Sequence, residues 1–189
     1  MGSYSSSSPF WNCPNLSSLT IGDSVQTIPS FAFSGCNRLT SLSIPNSVDS
    51  IGNESFGNCT NVLQLSLGSG LQYVGSRAFA NMERLTKITC KAEEAPYVGN
   101  VDAFEGISAN IPVTIPCSSL DSYQYAYGWS RFTNYETTLT YEFSVSSDDP
   151  NRGGVSIITQ PTCDFRQAEF QANAYNGFRF GHWSDGNID

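Results

Sequence analysis

The sequence predicts a mainly β chain: a solenoid of 23-residue repeats with parallel strands and a helical C-terminal cap, then a small all-β module. Two observations carry this prediction: an apolar pattern that recurs between Leu16 and Met82, and a change of period after about residue 140. Seven apolar columns advance by 23 residues from copy to copy. The three copies read Leu16, Leu19, Ile21, Val25, Ile28, Phe33, Cys36; Leu39, Leu42, Ile44, Val48, Ile51, Phe56, Cys59; and Val62, Leu65, Leu67, Leu71, Val74, Phe79, Met82.

The alternation within each copy predicts a short strand with one buried face. In the first copy, Leu19 and Ile21 alternate with Ser18 and Thr20, which is the two-residue period of a strand. Because one such strand cannot bury its apolar face alone, the copies are expected to stack about 4.8 Å apart with parallel strands. The expected strands lie near Leu19–Ile21, Leu42–Ile44, Leu65–Leu67 and Ile88–Cys90.

The remaining columns predict the opposite wall of the core. Val25, Ile28 and Phe33 lie on the return path of the first copy, among Gly, Ser, Asn and Pro residues that suit tight turns. A period of about 20–29 residues with an L-x-x-L-x-L core is the signature of leucine-rich repeats. The sequence therefore predicts a leucine-rich-repeat solenoid over residues 10–135.

The N-terminal end of this solenoid is predicted to be open. Phe10 and Cys13 fall in the columns of Phe33 and Cys36, so we interpret them as the tail of a truncated copy. Residues 1–9 are rich in serine and are expected to be flexible. An uncapped edge of parallel strands can pair with another chain, so we expect that two copies of this chain could associate through this edge.

The fourth copy departs from the pattern and leads into a predicted cap. It begins normally at Leu85, but Phe104 recovers the phenylalanine column two residues late. We expect residues 110–135 to form the cap, with a helix that begins near Ser118 and ends at Gly128. Its expected packing residues are Leu120, Tyr123, Tyr125, Tyr127, Trp129 and Phe132. Stacking of the tyrosines and Trp129 on sugars is the less favoured alternative.

The cysteines are interpreted mainly as core residues. Cys13, Cys36 and Cys59 share one column with Met82, which favours buried thiols that act as small hydrophobic groups over a disulfide. Cys90 falls in the column of Leu67 and is another expected core position. The other two, Cys117 and Cys163, are isolated, and no cysteine spacing is typical of zinc sites. Cysteine usage therefore does not decide the redox compartment.

Composition and charge exclude several classes of partner. The net charge of −8 provides no basic patch for nucleic acid or for an anionic membrane surface. No apolar run approaches the roughly 18 residues that a membrane span requires, so no membrane insertion is expected in this segment. Charged residues make up only 14% of the chain, and such a neutral polar surface is typical of secreted proteins.

After a predicted polar linker at residues 137–140, a different pattern indicates a small β module over residues 139–189. The expected strands are Tyr141–Val145, Val155–Thr159, Glu169–Ala174 and Phe178–Trp183. Turns are expected at residues 148–151 with Gly153 and Gly154, and at Asn176-Gly177, a strong hairpin signal.

The sequence contains no residue set typical of a catalytic site. His182 is the only histidine, it adjoins Trp183 at a predicted strand end, and a structural role is favoured over catalysis. Two aspartate pairs could bind calcium, but their sparse spacing favours carboxylates that solvate turns. These pairs are Asp148 with Asp149 and Asp185 with Asp189. We therefore expect no enzyme activity, no catalytic residue, no metal and no cofactor.

The repeats resemble the BspA-like leucine-rich repeats of bacterial surface proteins. The matching segments are Ala32-Phe33-Ser34-Gly35-Cys36, Ile115-Pro116-Cys117, Leu120-Asp121-Ser122-Tyr123 and Gly128-Trp129-Ser130-Arg131-Phe132. The resemblance covers about residues 10–135 and implies a secreted or cell-surface protein of a host-associated bacterium, used for adhesion or protein binding. The signal peptide and anchor are expected outside this segment.

The C-terminal module resembles the divergent internalin-B-type repeat, a small all-β unit that often follows repeats on bacterial surface proteins. The matching segments are Gly153-Gly154-Val155-Ser156, residues 172–180 and Trp183-Ser184-Asp185-Gly186. That family normally has one more strand after the last of these turns, so the module is expected to be truncated.

Two functions of different kinds remain. The first is a binding module that uses the outward side chains of the strands to contact a protein or glycan. If the chain is an adhesin, that ligand is expected to come from a host. Those candidate binding residues are Ser18, Thr20, Ser41, Ser43, Gln64, Ser66, Lys87 and Thr89. The second is a structural spacer or stalk of a surface protein with no ligand of its own.

Overall fold

The computed structural model describes residues 8, 10–138, 150–151, 153–159 and 169–177. The chain divides into two compact units, Met1–Thr138 and Leu139–Asp189. The described strands of the first unit, in chain order, are β1 (Thr27–Ile28), β2 (Ser41–Ser43), β3 (Ser50–Ile51), β4 (Gln64–Leu67), β5 (Tyr73–Val74), β6 (Lys87–Cys90), β7 (Tyr97–Val98), β8 (Val113–Pro116) and β9 (Tyr135–Thr138).

The longer strands form a five-stranded parallel sheet in the order β2-β4-β6-β8-β9. Leu42 pairs with Leu65, and Leu65 with Ile88, so residues 23 positions apart stand side by side. All three side chains are buried, while their neighbours along each strand face outward. The predicted strands at Leu42–Ile44, Leu65–Leu67 and Ile88–Cys90 are therefore confirmed to within one residue at each boundary.

The return path forms a second parallel sheet in the order β1-β3-β5-β7. Each strand has two residues and turns one apolar side chain into the core, as Ile28, Ile51, Val74 and Val98 do. The two sheets enclose the core, because neither can bury its apolar face alone. The predicted opposite wall is confirmed at Ile28 but is wrong at Val25, which is 36% exposed.

A column of stacked phenylalanines runs through the core. The rings of Phe10, Phe33, Phe56, Phe79 and Phe104 follow one another with centroids 5.2, 5.2, 5.9 and 5.7 Å apart. Interplanar angles of 15° or less make each contact a stacked pair. Phe56, Phe79 and Phe104 are completely buried, whereas Phe10 at the N-terminal end is 44% exposed.

The cysteine column is a ladder of free thiols. Cys36 and Cys59 are fully buried, and their Sγ atoms donate to the carbonyl oxygens of Phe10 and Phe33 at 3.2 and 3.3 Å. Cys90 is likewise free and buried. The interpretation as buried, unpaired core residues is confirmed for these three. Of the isolated cysteines, Cys117 is disulfide-bonded, and Cys163 lies outside the described residues.

The predicted strand at Leu19–Ile21 is wrong. Residues 16–22 form no strand, although Leu19 and Ile21 pack partly against the core. Within the described part of the chain, however, no backbone hydrogen bond joins them to Ser41–Ser43. Alternating side chains suffice to cover the core, but a strand also requires a hydrogen-bonded neighbour.

The segment after β8 contains a single 3-10 turn, Cys117–Ser119, and a short helix, α1 (Leu120–Tyr125). Tyr123 and Trp129 are completely buried. The Tyr123 hydroxyl donates to the Ala92 carbonyl at 2.8 Å, and Trp129 Nε1 donates to the Pro96 carbonyl at 2.9 Å. These bonds hold the segment to the fourth copy, but its action as a stabilising cap stays a prediction.

Three packing residues expected in this segment are instead exposed. Tyr125 is 79%, Tyr127 56% and Leu120 39% exposed. The six-residue helix turns only Tyr123 inward, and Tyr127 lies beyond its end. The predicted linker at residues 137–140 is wrong at Thr137 and Thr138, which belong to β9. This strand pairs with β8 through backbone hydrogen bonds; Tyr135 packs partly against the core, while the other three side chains are exposed.

In the second unit the structure describes two antiparallel strands, β10 (Gly153–Thr159) and β11 (Glu169–Ala174). Both strands were predicted, but the turn expected at Gly153 and Gly154 is wrong, since these residues pair with Ala174 and Asn173. Asn176 and Gly177 do form a turn. Several predicted features lie outside the described residues, namely the other two strands, His182 and both aspartate pairs. The assignment of this unit to the internalin type stays a prediction.

Candidate binding face

The outward side of the five-stranded sheet carries two rows of polar side chains, which we call the strand face. Strand register places Ser43, Ser66, Thr89, Thr114 and Glu136 in one row, in which Thr114 is buried and the other four are exposed or partly exposed. The second row consists of Ser41, Gln64 and Lys87. Parallel strands lie about 4.8 Å apart, so the first row extends for about 19 Å.

One end of the strand face is organised by a charged pair. Lys87 Nζ lies 3.7 Å from Glu136 Oε2, and the Thr114 hydroxyl donates to the same oxygen at 3.2 Å. Both charged side chains are about half exposed, so the pair contributes little to stability. Its main effect is to leave this end of the face with no net charge.

The other end opens into a cleft of about 580 Å³. Thr20, Ser43 and Ser66 line it, and all three were predicted as binding residues. Asp23 and Lys91 add one charge of each sign. The cleft therefore combines hydroxyl donors and acceptors and two charged groups with apolar side chains at Leu19, Ile21, Ile44 and Pro45.

The turns beside this cleft allow no larger side chain at Gly68. A Cβ atom there would lie 2.3 Å from the carbonyl oxygen of Pro45, in the preceding copy. This close backbone approach requires glycine at position 68, beside the wall on which strand register aligns Ser43 and Ser66.

The predicted residues fall into two groups. Strand register brings together six of them, which are Ser41, Ser43, Gln64, Ser66, Lys87 and Thr89. Ser18 and Thr20 are exposed but lie in the unpaired N-terminal segment, so only Thr20 reaches the cleft. Sequence reasoning missed Thr114 and Glu136, which follow the first row at spacings of 25 and 22 residues instead of 23.

The buried thiols have little nucleophilic character. Desolvation raises the pKa of Cys59 to about 12 and also raises the pKa values of Cys36 and Cys90. These groups are therefore neutral at pH 7, and a thiolate is the reactive form. Among the described residues, no group of three His, Cys, Asp or Glu side chains could hold a metal ion. The described part of the chain also has no helix long and apolar enough to cross a membrane.

Two parallel sheets, one 23-residue period and a stacked aromatic column define a leucine-rich-repeat fold. The family model of the BspA-type leucine-rich-repeat region matches residues 4–131 in six copies, so the chain belongs to that family. The family indicates a protein-interaction module of the kind found in surface proteins. A search of curated proteins found no match.

Proposed function

We propose that the chain is a non-catalytic interaction module of a secreted or cell-surface bacterial adhesin. In this proposal the strand face binds a protein or another ligand of a host. One observation carries it, namely the rows of outward side chains that strand register aligns across successive copies. Solenoids use such repeated surfaces to contact extended partners.

The chemistry of the face favours a polar partner without a strong charge. Ser41, Ser43, Ser66 and Thr89 are short, so they lose little side-chain entropy when a partner orders them. Each hydroxyl both donates and accepts a hydrogen bond. Because Lys87 is paired with Glu136, the face attracts neither strongly acidic nor strongly basic ligands.

Two observations support an extracellular location. Repeats of this family are typical of surface proteins, and Cys117 is disulfide-bonded. Disulfides persist mainly in secreted and surface proteins, because cytosolic reductants keep thiols reduced. The second unit, in the same proposal, is an internalin-type module that follows the repeats.

The proposal is tested with immobilised fibronectin, laminin and collagen as probes in surface plasmon resonance. We expect wild-type protein to bind at least one probe. Ser43→Arg and Ser66→Arg place long charged side chains on the strand face and should weaken that binding at least about tenfold. Thr27→Arg adds the same charge on the exposed surface of β1 in the other sheet and serves as the matched control.

Two results would contradict the proposal. If the wild-type chain binds none of the probes, the spacer function replaces the adhesin function. If Thr27→Arg weakens binding as much as Ser66→Arg, the effect is one of net charge, and the strand face is not the binding surface. Unfolding midpoints of all variants establish that each is folded.

A further inference from the structure

The outward side of the four-stranded parallel sheet changes its chemistry along the repeats. Strand register places Thr27, Ser50, Tyr73 and Tyr97 in one outward column. The first two copies therefore present small hydroxyl side chains, and the last two present aromatic rings. Tyr97 is 66% exposed, so most of the surface of this residue remains available to a partner.

The two tyrosines form a stacked pair across β5 and β7. Their ring centroids lie 6.0 Å apart, with an interplanar angle of 24°. The position of Tyr73 depends on Gly99, because a Cβ atom on that glycine would lie 2.6 Å from the Tyr73 hydroxyl oxygen. Since Gly99 has no side chain, the Tyr73 ring can lean toward the following copy and extend the aromatic surface of Tyr97.

The segments that build this sheet are acidic and contain no basic residue. Residues 23–30, 46–53, 69–76 and 92–102 hold five carboxylates and no lysine or arginine. One of these carboxylates, that of Asp102, accepts hydrogen bonds from the Ser76 hydroxyl and the Arg77 amide. The negative charge of the other four is not balanced by a basic side chain within these segments.

Three of the carboxylates flank the tyrosine pair. The backbone nitrogen of Tyr73 donates to the Asp49 carbonyl oxygen at 3.0 Å, which places Asp49 beside β5. Glu93 and Glu94 precede Tyr97 by four and three residues, and both are exposed. We call Tyr73, Tyr97, Asp49, Glu93 and Glu94 the tyrosine face.

Sheet stabilisation alone does not explain this arrangement. A cross-strand aromatic pair does stabilise a sheet through contact between the two rings. That contribution requires neither the large exposure of Tyr97 nor a surrounding surface of a single charge sign. An exposed aromatic surface flanked by carboxylates is complementary to a cation that can stack on the rings.

From this charge complementarity we propose that the tyrosine face binds a basic, extended segment of a partner protein. Arginine side chains of that segment would stack on Tyr73 and Tyr97 and pair with the carboxylates of Asp49, Glu93 and Glu94. A guanidinium group stacks on aromatic rings and also binds carboxylates in bidentate geometry. The net charge of −8 attracts such a segment from a distance. None of these five residues belongs to the strand face, so the two surfaces can bind different partners.

The experiment is isothermal titration calorimetry of the full chain with a synthetic peptide that repeats the triplet Arg-Gly-Ser. The peptide is about twelve residues long and reaches roughly 40 Å when extended. Matched peptides carry lysine or glutamine in place of arginine. At about 0.15 M salt, we expect saturable binding of the arginine peptide, weaker binding of the lysine peptide and no binding of the glutamine peptide.

Variants of the rings test whether stacking contributes. Tyr97→Ser places at this position the residue found at Ser50, and it should weaken binding of the arginine peptide about threefold. The double variant Tyr73→Ser/Tyr97→Ser should weaken binding about tenfold. Tyr97→Phe keeps an aromatic ring and should bind nearly as well as wild type.

Variants of the carboxylates separate local charge from net charge. Glu93→Gln should weaken binding about twofold, because Glu93 belongs to the tyrosine face. Glu83→Gln changes the net charge by the same amount at an exposed position before β6 and should leave binding unchanged.

Several results would overturn the proposal. The first is no saturable binding of the arginine peptide by wild type. The second is equal affinity for the arginine and lysine peptides, or unchanged binding by the double tyrosine variant, because rings that do not contact a ligand serve only the sheet. The third is equal weakening by Glu83→Gln and Glu93→Gln.

The variants also distinguish this proposal from the function proposed for the strand face. Ser66→Arg should retain binding of the arginine peptide, and Tyr97→Ser should retain binding of the matrix protein that wild type recognises. Thermal unfolding followed by circular dichroism establishes that each variant is folded. If the double variant does not fold, Tyr97→Ser decides alone, because Tyr97 is largely exposed.

Discussion

Truncation of an interior phenylalanine should destabilise the solenoid far more than truncation of the terminal one. Phe56 is fully buried and stacks on Phe33 at 5.2 Å and on Phe79 at 5.9 Å. Phe56→Ala would leave a cavity that rings on both sides cannot fill, at a cost of about 3–5 kcal/mol. Phe10 is 44% exposed and stacks only on Phe33 in this column. Phe10→Ala forfeits about 1 kcal/mol, half of the burial free energy of a phenylalanine, and leaves no closed cavity.

The assay is urea unfolding of wild type, Phe10→Ala and Phe56→Ala, followed by circular dichroism and extrapolated linearly to water. The expected difference between the two variants is about 2–4 kcal/mol. Phe56→Leu is the control, because it keeps most of the apolar volume and should lose less than Phe56→Ala. Equal losses for Phe10→Ala and Phe56→Ala would refute the reasoning, since they would mean that stability does not depend on neighbours on both sides.

Two further predictions concern the reactivity and the pKa of the buried cysteine thiols. Cys36 and Cys59 should resist alkylation by iodoacetamide in the native protein. After unfolding without reductant, both should be labelled, which mass spectrometry would detect. A Cys36–Cys59 crosslink would contradict the ladder of free thiols. Folding raises the pKa of the Cys59 thiol from 9.0 to about 12, so the folded state binds this proton more tightly than the unfolded state does. The protonated thiol therefore favours the folded state, and that contribution to the free energy of unfolding is lost as the pH rises from about 9 to 12. Urea unfolding at pH 8 and pH 10 should therefore show lower stability at pH 10, with a smaller decrease in Cys59→Ala; an identical decrease in that variant would contradict the assignment to this thiol.

Much of the repeat fold could be predicted because each repeat buries the same columns. The phenylalanine and cysteine columns are simple consequences of a 23-residue period, and Phe104 was recognisable despite its two-residue delay. Side-chain pattern does not report backbone pairing, however. It therefore predicted a strand at Leu19–Ile21, where hydrogen bonds to β2 are absent, and gave no sign of β9, whose residues are largely exposed.

The candidate sites were predictable only where the period is regular. Ser43, Ser66 and Thr89 follow directly from the columns, whereas Thr114 and Glu136 lie at shifted spacings.

The parallel register of the five-stranded sheet is the central claim, because it aligns both the core columns and the strand face. NMR spectra should show cross-strand contacts between backbone protons of Leu42 and Leu65, of Leu65 and Ile88, and of Ile88 and Val113, in the pattern of parallel strands. Antiparallel contacts between consecutive strands, or a register shifted by one residue, would contradict the account, since a one-residue shift would turn every core residue outward.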